Sequence, residues 1–298
     1  MATTKFLTED GVRRLWAAIE AKFVDATEIE TILQDLPMGT SDMIALTNAE
    51  IDEITGYFTV NSLDDFNALL TQKNQVTVTI NEALTVDSPL TIPVGKTVTV
   101  NLAENIQNNS NTAAFLVNGG NLVINGNGGT ITGASAAVMV SSGSATVNGG
   151  TYTTTQAGQV LASVGANSEL TLNDVKATGQ EAAAMAFDGA KLTINGGDFN
   201  TIDNFVVGTN GTAGRGGNTI VINGAKLNGS ITSAGYEACG IYVPNNDTVI
   251  IENTEINVEK GCGILMRAGN VTVKAGTKIT TTAADAPGWV GDNKTKMS

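Results

Sequence analysis

A short pattern that recurs along the chain decides the fold. Residues 191–201 read KLTINGGDFNT and residues 218–229 read NTIVINGAKLNG. Each combines an alternating strand, a polar turn that contains glycine, and a second short strand. Similar segments begin at Gly120, Ser144 and Glu169. Because self-similarity at a period of roughly 20–50 residues is the signature of repeat architectures, the pattern predicts a stack of similar coils.

The spacing of the repeat indicates its geometry. The first apolar position of each repeat, its anchor, lies 22 to 29 residues before the next anchor. A third apolar strand precedes most anchors, such as AFLVN at 114–118, so that one coil holds three strands. A propeller blade would need about 40 residues. We therefore expect a mainly β protein, a right-handed parallel β-helix of about eight coils with a small N-terminal α-helical module. The anchors are Val98, Leu122, Ala145, Leu170, Leu192, Ile220, Val249 and Val271.

One polar column marks the register of the coils. Three residues after each of the first six anchors the chain carries asparagine, and Glu252 and Lys274 take the same position after the last two. Stacked asparagine amides can hydrogen-bond along the axis, and asparagine tolerates the left-handed conformation of a corner. We interpret the column as structural. Its asparagines are Asn101, Asn125, Asn148, Asn173, Asn195 and Asn223.

A short helix is predicted just before the first coil. The segment SLDDFNALL begins with Ser62 as N-cap and places Leu63, Phe66 and Leu70 on one apolar face. Terminal repeats of a solenoid must cover their open apolar end, so this helix is expected to cap the stack. The predicted organisation is a helical module at 1–56, a capping segment at 57–75 and the β-helix at 76–298.

Residues 8–36 carry an apolar repeat of a different kind. Their apolar residues recur at alternating three- and four-residue steps, broken only at Lys22, which is typical of a coiled-coil seam. Two interpretations stay open: one helix packed on its own domain, or a self-associating helix, with a trimer favoured. A second helix is predicted after the capping box at 47–50. The candidate anchor and oligomerisation residues are Val12, Leu15, Trp16, Ile19, Phe23, Ile29, Leu33 and Leu36.

Composition argues against several classes of function. The net charge is −13, with a pI near 4.3, so the phosphate backbone of a nucleic acid would be repelled. The chain contains no histidine, the commonest general base and metal ligand. The N-terminus does not have the pattern of a signal peptide, and no apolar run is long enough to span a membrane. We expect no cofactor, no metal, no nucleic-acid partner and no membrane insertion.

Two irregular coils are the candidate binding sites. The longest anchor spacings arise from extra residues at 208–218 and 229–239. Insertions in a solenoid form loops on one face, and such loops often carry recognition. Arg215, Tyr236 and Glu237 are predicted to contact a glycan or a neighbouring subunit; the alternative is a solvated loop without a ligand.

Two further pairs of residues could carry chemistry. Asp174 and Asp198 occupy similar turns one coil apart, where they would bind an ion or simply be solvated. Cys239 and Cys262 fall on neighbouring coils, about 5 Å apart, and are expected as stacked free thiols in preference to a disulfide. Enzymes that cut polysaccharides need paired carboxylates or a metal with a nearby base. Because the repeat supplies no such set, we predict that the chain is not an enzyme.

The N-terminal segment resembles a known class of proteins. Residues 6–24, FLTEDGVRRLWAAIEAKFV, are similar to the opening segment of head and tail fibre proteins from phages of gut bacteria. Residues 46–56, LTNAEIDEITG, resemble a short linker helix of such proteins. The β-helical part resembles a broader class that includes phage tailspikes, pectate lyases and bacterial adhesins.

This resemblance implies a function, a partner and a location. It implies a homotrimeric virion fibre, on the head or associated with the tail, made in the host cytoplasm and attached to capsid or tail proteins by its N-terminus. Binding of a bacterial surface glycan is a further expectation. The alternative function is a polysaccharide-degrading tailspike. A bacterial adhesin is disfavoured because no secretion signal or wall anchor is recognised.

Overall fold

A computed structural model describes residues 57–156, 158–229, 239–259, 261–281, 289–291 and 296–297. In the last two ranges it describes the strands alone. These residues belong to one structural unit, Gly56–Ser298. The predicted helical module at 1–56, with all eight of its candidate anchor residues, and the loop residues Tyr236 and Glu237 lie outside the described residues.

The described strands form three parallel columns, here called the first, second and third sheets. The first sheet contains β1 (Tyr57–Thr59), β2 (Gln75–Ile80), β5 (Thr97–Leu102), the second halves of β7 (Ala113–Asn125) and β9 (Ala136–Asn148), β12 (Ser168–Asn173), β15 (Lys191–Asn195), β18 (Thr219–Asn223), β21 (Thr248–Glu252), β24 (Asn270–Val273) and β27 (Lys296–Met297). The second contains β3 (Leu84–Val86), β6 (Ile106–Asn108), β8 (Thr130–Gly133), β10 (Thr151–Thr154), β13 (Lys176–Gly179), β16 (Asp198–Thr201), β19 (Lys226–Gly229), β22 (Glu255–Val258) and β25 (Lys278–Thr281).

The third sheet closes each coil. It contains β4 (Leu90–Pro93), the first halves of β7 and β9, β11 (Gln159–Val164), β14 (Ala182–Phe187), β17 (Phe205–Thr209), β20 (Cys239–Val243), β23 (Cys262–Met266) and β26 (Trp289–Gly291). Because β7 and β9 run through both columns, hydrogen bonding joins the first and third sheets into one set of 18 strands. Every strand pairs in parallel with its counterpart one coil away, and the result is a β-solenoid of about nine turns.

The predicted fold class, a mainly β parallel β-helix, is confirmed. The coil count differs by one from the expected eight. The strands β2, β3 and β4 form a complete coil before Val98, and β2 pairs with β5 in full register. The β-helix was predicted to begin at residue 76, but its coils were counted from the anchor at Val98, so the count did not include this first coil.

One apolar core runs through the stack. Alternate residues of each strand point inward, so that Leu170 lies over Leu192 and Leu172 over Ile194 in consecutive coils. Burying each such side chain stabilises the fold by roughly 1.5–3 kcal/mol. The bulky side chains of Phe115, Tyr152 and Phe199 are fully buried in this core.

The predicted capping helix is present as α1, Leu63–Gln72. Ser62 is its N-cap, and its Oγ accepts a hydrogen bond from the backbone N–H of Asp65 at 3.1 Å. Phe66 and Leu70 are buried, as the apolar face predicted. The short strand β1 was not predicted; it pairs with β2, so that strand and helix lie together at the first coil.

The asparagine column forms the predicted ladder over five coils. Each amide Nδ2 donates to the Oδ1 of the asparagine one coil earlier, at 2.8–3.1 Å. Further along, Asn223 Oδ1 accepts from Asn253 Nδ2 at 3.2 Å, and Lys274 forms an ion pair with Glu252 at 3.6 Å. The bonded ladder is Asn195, Asn173, Asn148, Asn125 and Asn101.

A second asparagine ladder lies on the outside of the second sheet. Asn257 donates to Asn228, and Asn228 donates to Asn200, both at 3.1 Å. This ladder was not predicted.

A glycine is required at the corner of these coils. Gly197 has φ +91°, and a Cβ there would lie 2.3 Å from the carbonyl oxygen of Val175. The glycine is therefore required by both backbone conformation and space.

Candidate functional site

The loop after β17 was predicted to bind through Arg215, and the structure places this side chain in an internal ion pair. Arg215 Nε donates to Asp188 Oδ1 at 2.6 Å, and Nη2 donates to Asp188 Oδ2. The guanidinium also lies over the ring of Phe187, 5.7 Å from its centroid. The hydrogen bond from Arg215, with its charge, lowers the pKa of Asp188. Arg215 thus fastens its loop to the preceding coil.

A buried polar network holds the base of the same loop. Asp247 is 1% exposed, and its carboxylate accepts hydrogen bonds from Thr209 Oγ1 at 2.6 Å and from both the N–H and Nδ2 of Asn218. Asn218 Oδ1 in turn accepts from the backbone N–H groups of Gly189 and Ala190, each at 3.0 Å. A buried carboxylate is tolerated only when it is hydrogen-bonded, as here. The network joins three coils.

The tip of the loop is tied to the next coil. Asn245 Nδ2 donates to the carbonyl oxygens of Asn210 and Thr212, at 2.6 and 2.8 Å. The part of the insertion that the structure describes is therefore held in place at its base, middle and tip. A ligand-binding role for Arg215, Tyr236 and Glu237 stays a prediction.

A small apolar cluster lies outside the main core, on the outer side of the third sheet. Met185 belongs to it, whereas its neighbours Ala184 and Ala186 belong to the main core, which assigns Met185 to the outer face. The rings of Phe205 and Tyr242 pack tilted, with centroids 5.2 Å apart. Satellite clusters of this kind occur beneath long loops, and we assign this one a packing role.

The two cysteines belong to this outer cluster. Cys239 and Cys262 are register partners on β20 and β23, and both are buried free thiols. The Cys239 thiol donates a hydrogen bond that lowers the pKa of Cys262, against the opposing effect of burial. They act as stacked small apolar residues, as the sequence analysis preferred.

The candidate carboxylates Asp174 and Asp198 do not share a position. Asp174 lies at a corner with φ +51°, next to Gly196, whereas Asp198 is the first residue of β16. In β16, Asp198 is flanked by its register partners Lys176 and Lys226. Within the described ranges, no group of three or more acidic, cysteine or histidine side chains is arranged to hold a metal.

The structure also contains a polar groove that the sequence analysis did not identify. It lies where the second sheet turns into the third sheet, over three successive coils, and encloses about 330 Å³. The turn in its middle has two residues, Ala134 and Ser135, whereas the connections on either side, 109–112 and 155–158, have four, of which the structure describes all but residue 157. The short turn is therefore recessed between two longer ones and forms a floor with two walls.

The groove is lined by neutral polar groups. One wall carries Asn111 and Thr112, and the other carries Gln156 and Gln159. These four side chains hydrogen-bond to no other described residue and are at least partly exposed. Amides and hydroxyls both donate and accept, so they can satisfy the hydroxyl groups of a ligand. Met139, half-buried at one edge, adds an apolar surface.

The fold and this surface define a parallel β-helix with a neutral polar groove at one corner. No protein-family model, no curated protein and no solved structure matches the chain. No described helix has the length and apolarity needed to cross a membrane.

Proposed function

We propose that this chain is a non-enzymatic structural fibre of a tailed-phage virion, attached to the head or associated with the tail. In this proposal residues 1–56 join the fibre to capsid or tail proteins and associate it into a homotrimer. The β-helix projects outward towards glycans of the host surface.

The observation that supports this proposal best is the β-solenoid of about nine turns. At a spacing of about 4.8 Å per coil, nine turns give a shaft roughly 40 Å long. Parallel backbone pairing and the asparagine ladder reinforce the shaft along its axis. A solenoid presents its outer faces along its whole length, which suits a projecting element.

The resemblance of residues 6–24 to fibre proteins supports attachment through the N-terminal end. The opening segment of such fibre proteins has the pattern F-L-x-x-x-G-[LV]-x-x-L-W-x-x-I, and this chain carries Phe6, Leu7, Gly11, Trp16 and Ile19 at the same spacings. Homotrimer formation draws support from the apolar seam at 8–36, because a seam of this length can associate helices.

Particles provide the direct test. Antibodies raised against residues 57–298 should label virions purified from the strain that encodes the chain, with gold particles confined to the capsid or to the tail in electron micrographs. Particles without label, alongside free chain in the lysate, would contradict the proposal.

The non-enzymatic part has its own test. Host capsular polysaccharide incubated with the purified full-length chain should keep its size distribution on gel filtration. Release of short oligosaccharides would favour a tailspike enzyme instead.

A further inference from the structure

We infer that the polar groove between the second and third sheets is a binding site for a neutral glycan. The inference deepens the proposed function, on which it rests, by giving the fibre a ligand class. The groove contains no residue of the loop that carries Arg215. The groove is concave because the turn at Ala134 and Ser135 is recessed between two longer turns at one corner of the solenoid. Its volume of about 330 Å³ lies at the lower end of the range of roughly 300–1,000 Å³ for small-ligand sites.

The floor of the groove is preorganised by buried hydrogen bonds. Asn108 is 1% exposed, and its Nδ2 donates to Ser135 Oγ and to the carbonyl oxygen of Ala136, both at 2.9 Å. Ser135 Oγ donates to the carbonyl oxygen of Ser110 at 2.6 Å, and Ser110 Oγ donates to that of Ala113 at 2.7 Å. The turns therefore hold their shape without a ligand, which reduces the entropy cost of binding.

The walls supply groups that remain available for a ligand. Asn111 and Gln156 are exposed on opposite walls, and neither side chain bonds to another described residue. Each amide offers two donors and an acceptor, which complements the paired donors and acceptors of adjacent sugar hydroxyls. The half-buried Met139 offers a surface for the apolar C–H face of a sugar ring.

The charge of the groove selects the class of glycan. No acidic or basic side chain is among its lining residues, and the whole chain carries a charge of −13. A uronate or phosphate group would find no cation to replace its hydration and would be repelled by the protein. The ligand is therefore an uncharged saccharide.

Backbone pairing argues against a peptide strand as the ligand. Peptides that add to a sheet need an unpaired strand edge. At the groove, β9 pairs with β7 on one side and with β11 on the other. The groove thus offers side-chain amides and hydroxyls instead of a row of free backbone groups.

The test uses the purified full-length chain and six hexasaccharides in isothermal titration calorimetry. Five are neutral: maltohexaose, cellohexaose, mannohexaose, xylohexaose and chitohexaose; the sixth, hexagalacturonate, is charged. We expect at least one neutral hexasaccharide to bind, and hexagalacturonate to bind at least about tenfold more weakly. The double variant Asn111→Ala/Gln156→Ala should weaken neutral binding by about tenfold or more, because each substitution removes the hydrogen bonds of one amide to the ligand.

A matched double variant controls for nonspecific effects. Gln75 and Gln107 are exposed amides of β2 and β6 outside the groove, so Gln75→Ala/Gln107→Ala should bind as the parent does. Absence of binding by all five neutral hexasaccharides, preference for hexagalacturonate, or equal binding by the groove variant and its control would each overturn the inference. Glycan binding by a chain that antibodies do not find on virions would leave the groove assigned and contradict the fibre proposal alone.

Discussion

Asn148 illustrates how one side chain helps to set the register of the whole stack. Its Nδ2 donates to Asn125 Oδ1 at 3.1 Å, and its Oδ1 accepts from Asn173 Nδ2 at 2.8 Å. An asparagine in the middle of the ladder is therefore both donor and acceptor, which no carboxylate can be at neutral pH.

The substitution Asn148→Asp should lower the free energy of unfolding by about 1–3 kcal/mol at pH 7. It replaces the donor Nδ2 with a carboxylate oxygen, which would face the acceptor Asn125 Oδ1. Urea denaturation followed by circular dichroism measures the change. Asn270→Asp provides the matched control, since Asn270 is exposed on the first sheet outside the ladder. Equal effects at the two positions would mean that the ladder bonds contribute nothing specific.

Tyr152 presents the opposite situation, a buried polar atom without a partner. The side chain is fully buried, and its hydroxyl finds no hydrogen-bond partner among the described residues. An unsatisfied buried hydroxyl costs roughly 1–3 kcal/mol. Tyr152→Phe should therefore leave the midpoint of thermal unfolding unchanged or raise it. Tyr242→Phe should lower it, because Arg267 Nη1 donates to the Tyr242 hydroxyl; the reverse order would contradict this account.

The ion pair of Arg215 has a consequence for titration. Its hydrogen bond lowers the pKa of Asp188, so the stability from this pair is present above the unfolded-state pKa of about 3.9 and is lost as pH falls through the lower folded-state value. Arg215→Gln should return the pKa of Asp188 towards its ordinary value in a carbon-13 NMR titration of the carboxyl group. Arg267→Gln serves as control and should leave that titration unchanged.

A side-chain contact could be predicted from the sequence only where both of its residues recur at the same position in successive coils. The first asparagine column could be recognised because every member follows an anchor at the same distance. Asp188 lies 27 residues from Arg215 along the chain, and no local pattern identifies it as the partner. The ladder at Asn200, Asn228 and Asn257 was missed because the repeats were aligned by the anchors on their first strands. These three asparagines lie on the second strand of each repeat.

At the scale of elements, charges on the outside of the second sheet alternate from coil to coil. In register order the column contains Lys176, Asp198, Lys226, Glu255 and Lys278. Identical charges one coil apart would repel, so the alternation favours the observed register over one shifted by a coil.

Reversing one charge in this column tests the argument. Lys226→Glu would place an acid between two acids and should destabilise the fold by roughly 0.2–1 kcal/mol for each neighbour. Lys176→Glu has one acidic neighbour and a threonine on the other side, so about half the effect is expected. Urea denaturation at low and high salt measures both, and salt should reduce the difference. Equal destabilisation by the two variants would exclude this electrostatic explanation.

The polar groove belongs to the scale of elements as well, because turn lengths create it. The length of each turn depends on where the strands beside it end. Alternation of apolar and polar residues indicates a strand but does not specify its last residue, so it cannot distinguish a two-residue turn from a four-residue turn. Only the strand bounds of the folded chain reveal which turn is recessed.

For the whole molecule, the proposal of a homotrimer makes a prediction about mass. The full chain, of 30.6 kDa, should sediment at about three times that mass at micromolar concentration, because the apolar seam at 8–36 would be buried between copies. Analytical ultracentrifugation measures this. A variant lacking residues 1–56 should keep its β-rich circular dichroism and sediment as a monomer. A monomeric full chain would contradict the trimer, and a trimeric truncated chain would place the association in the β-helix instead.

The sequence by itself determined the repeat, the three strands of each coil, the first asparagine ladder and the capping helix. These features rest on interactions between neighbouring coils that recur at a nearly constant spacing, so they appear as periodicity. Only the tertiary structure decided which residues become partners across unequal turns, as in the Arg215–Asp188 pair, the Asp247 network and the polar groove. These depend on how far each turn projects from the solenoid, a property of the folded backbone that no local pattern of residues specifies.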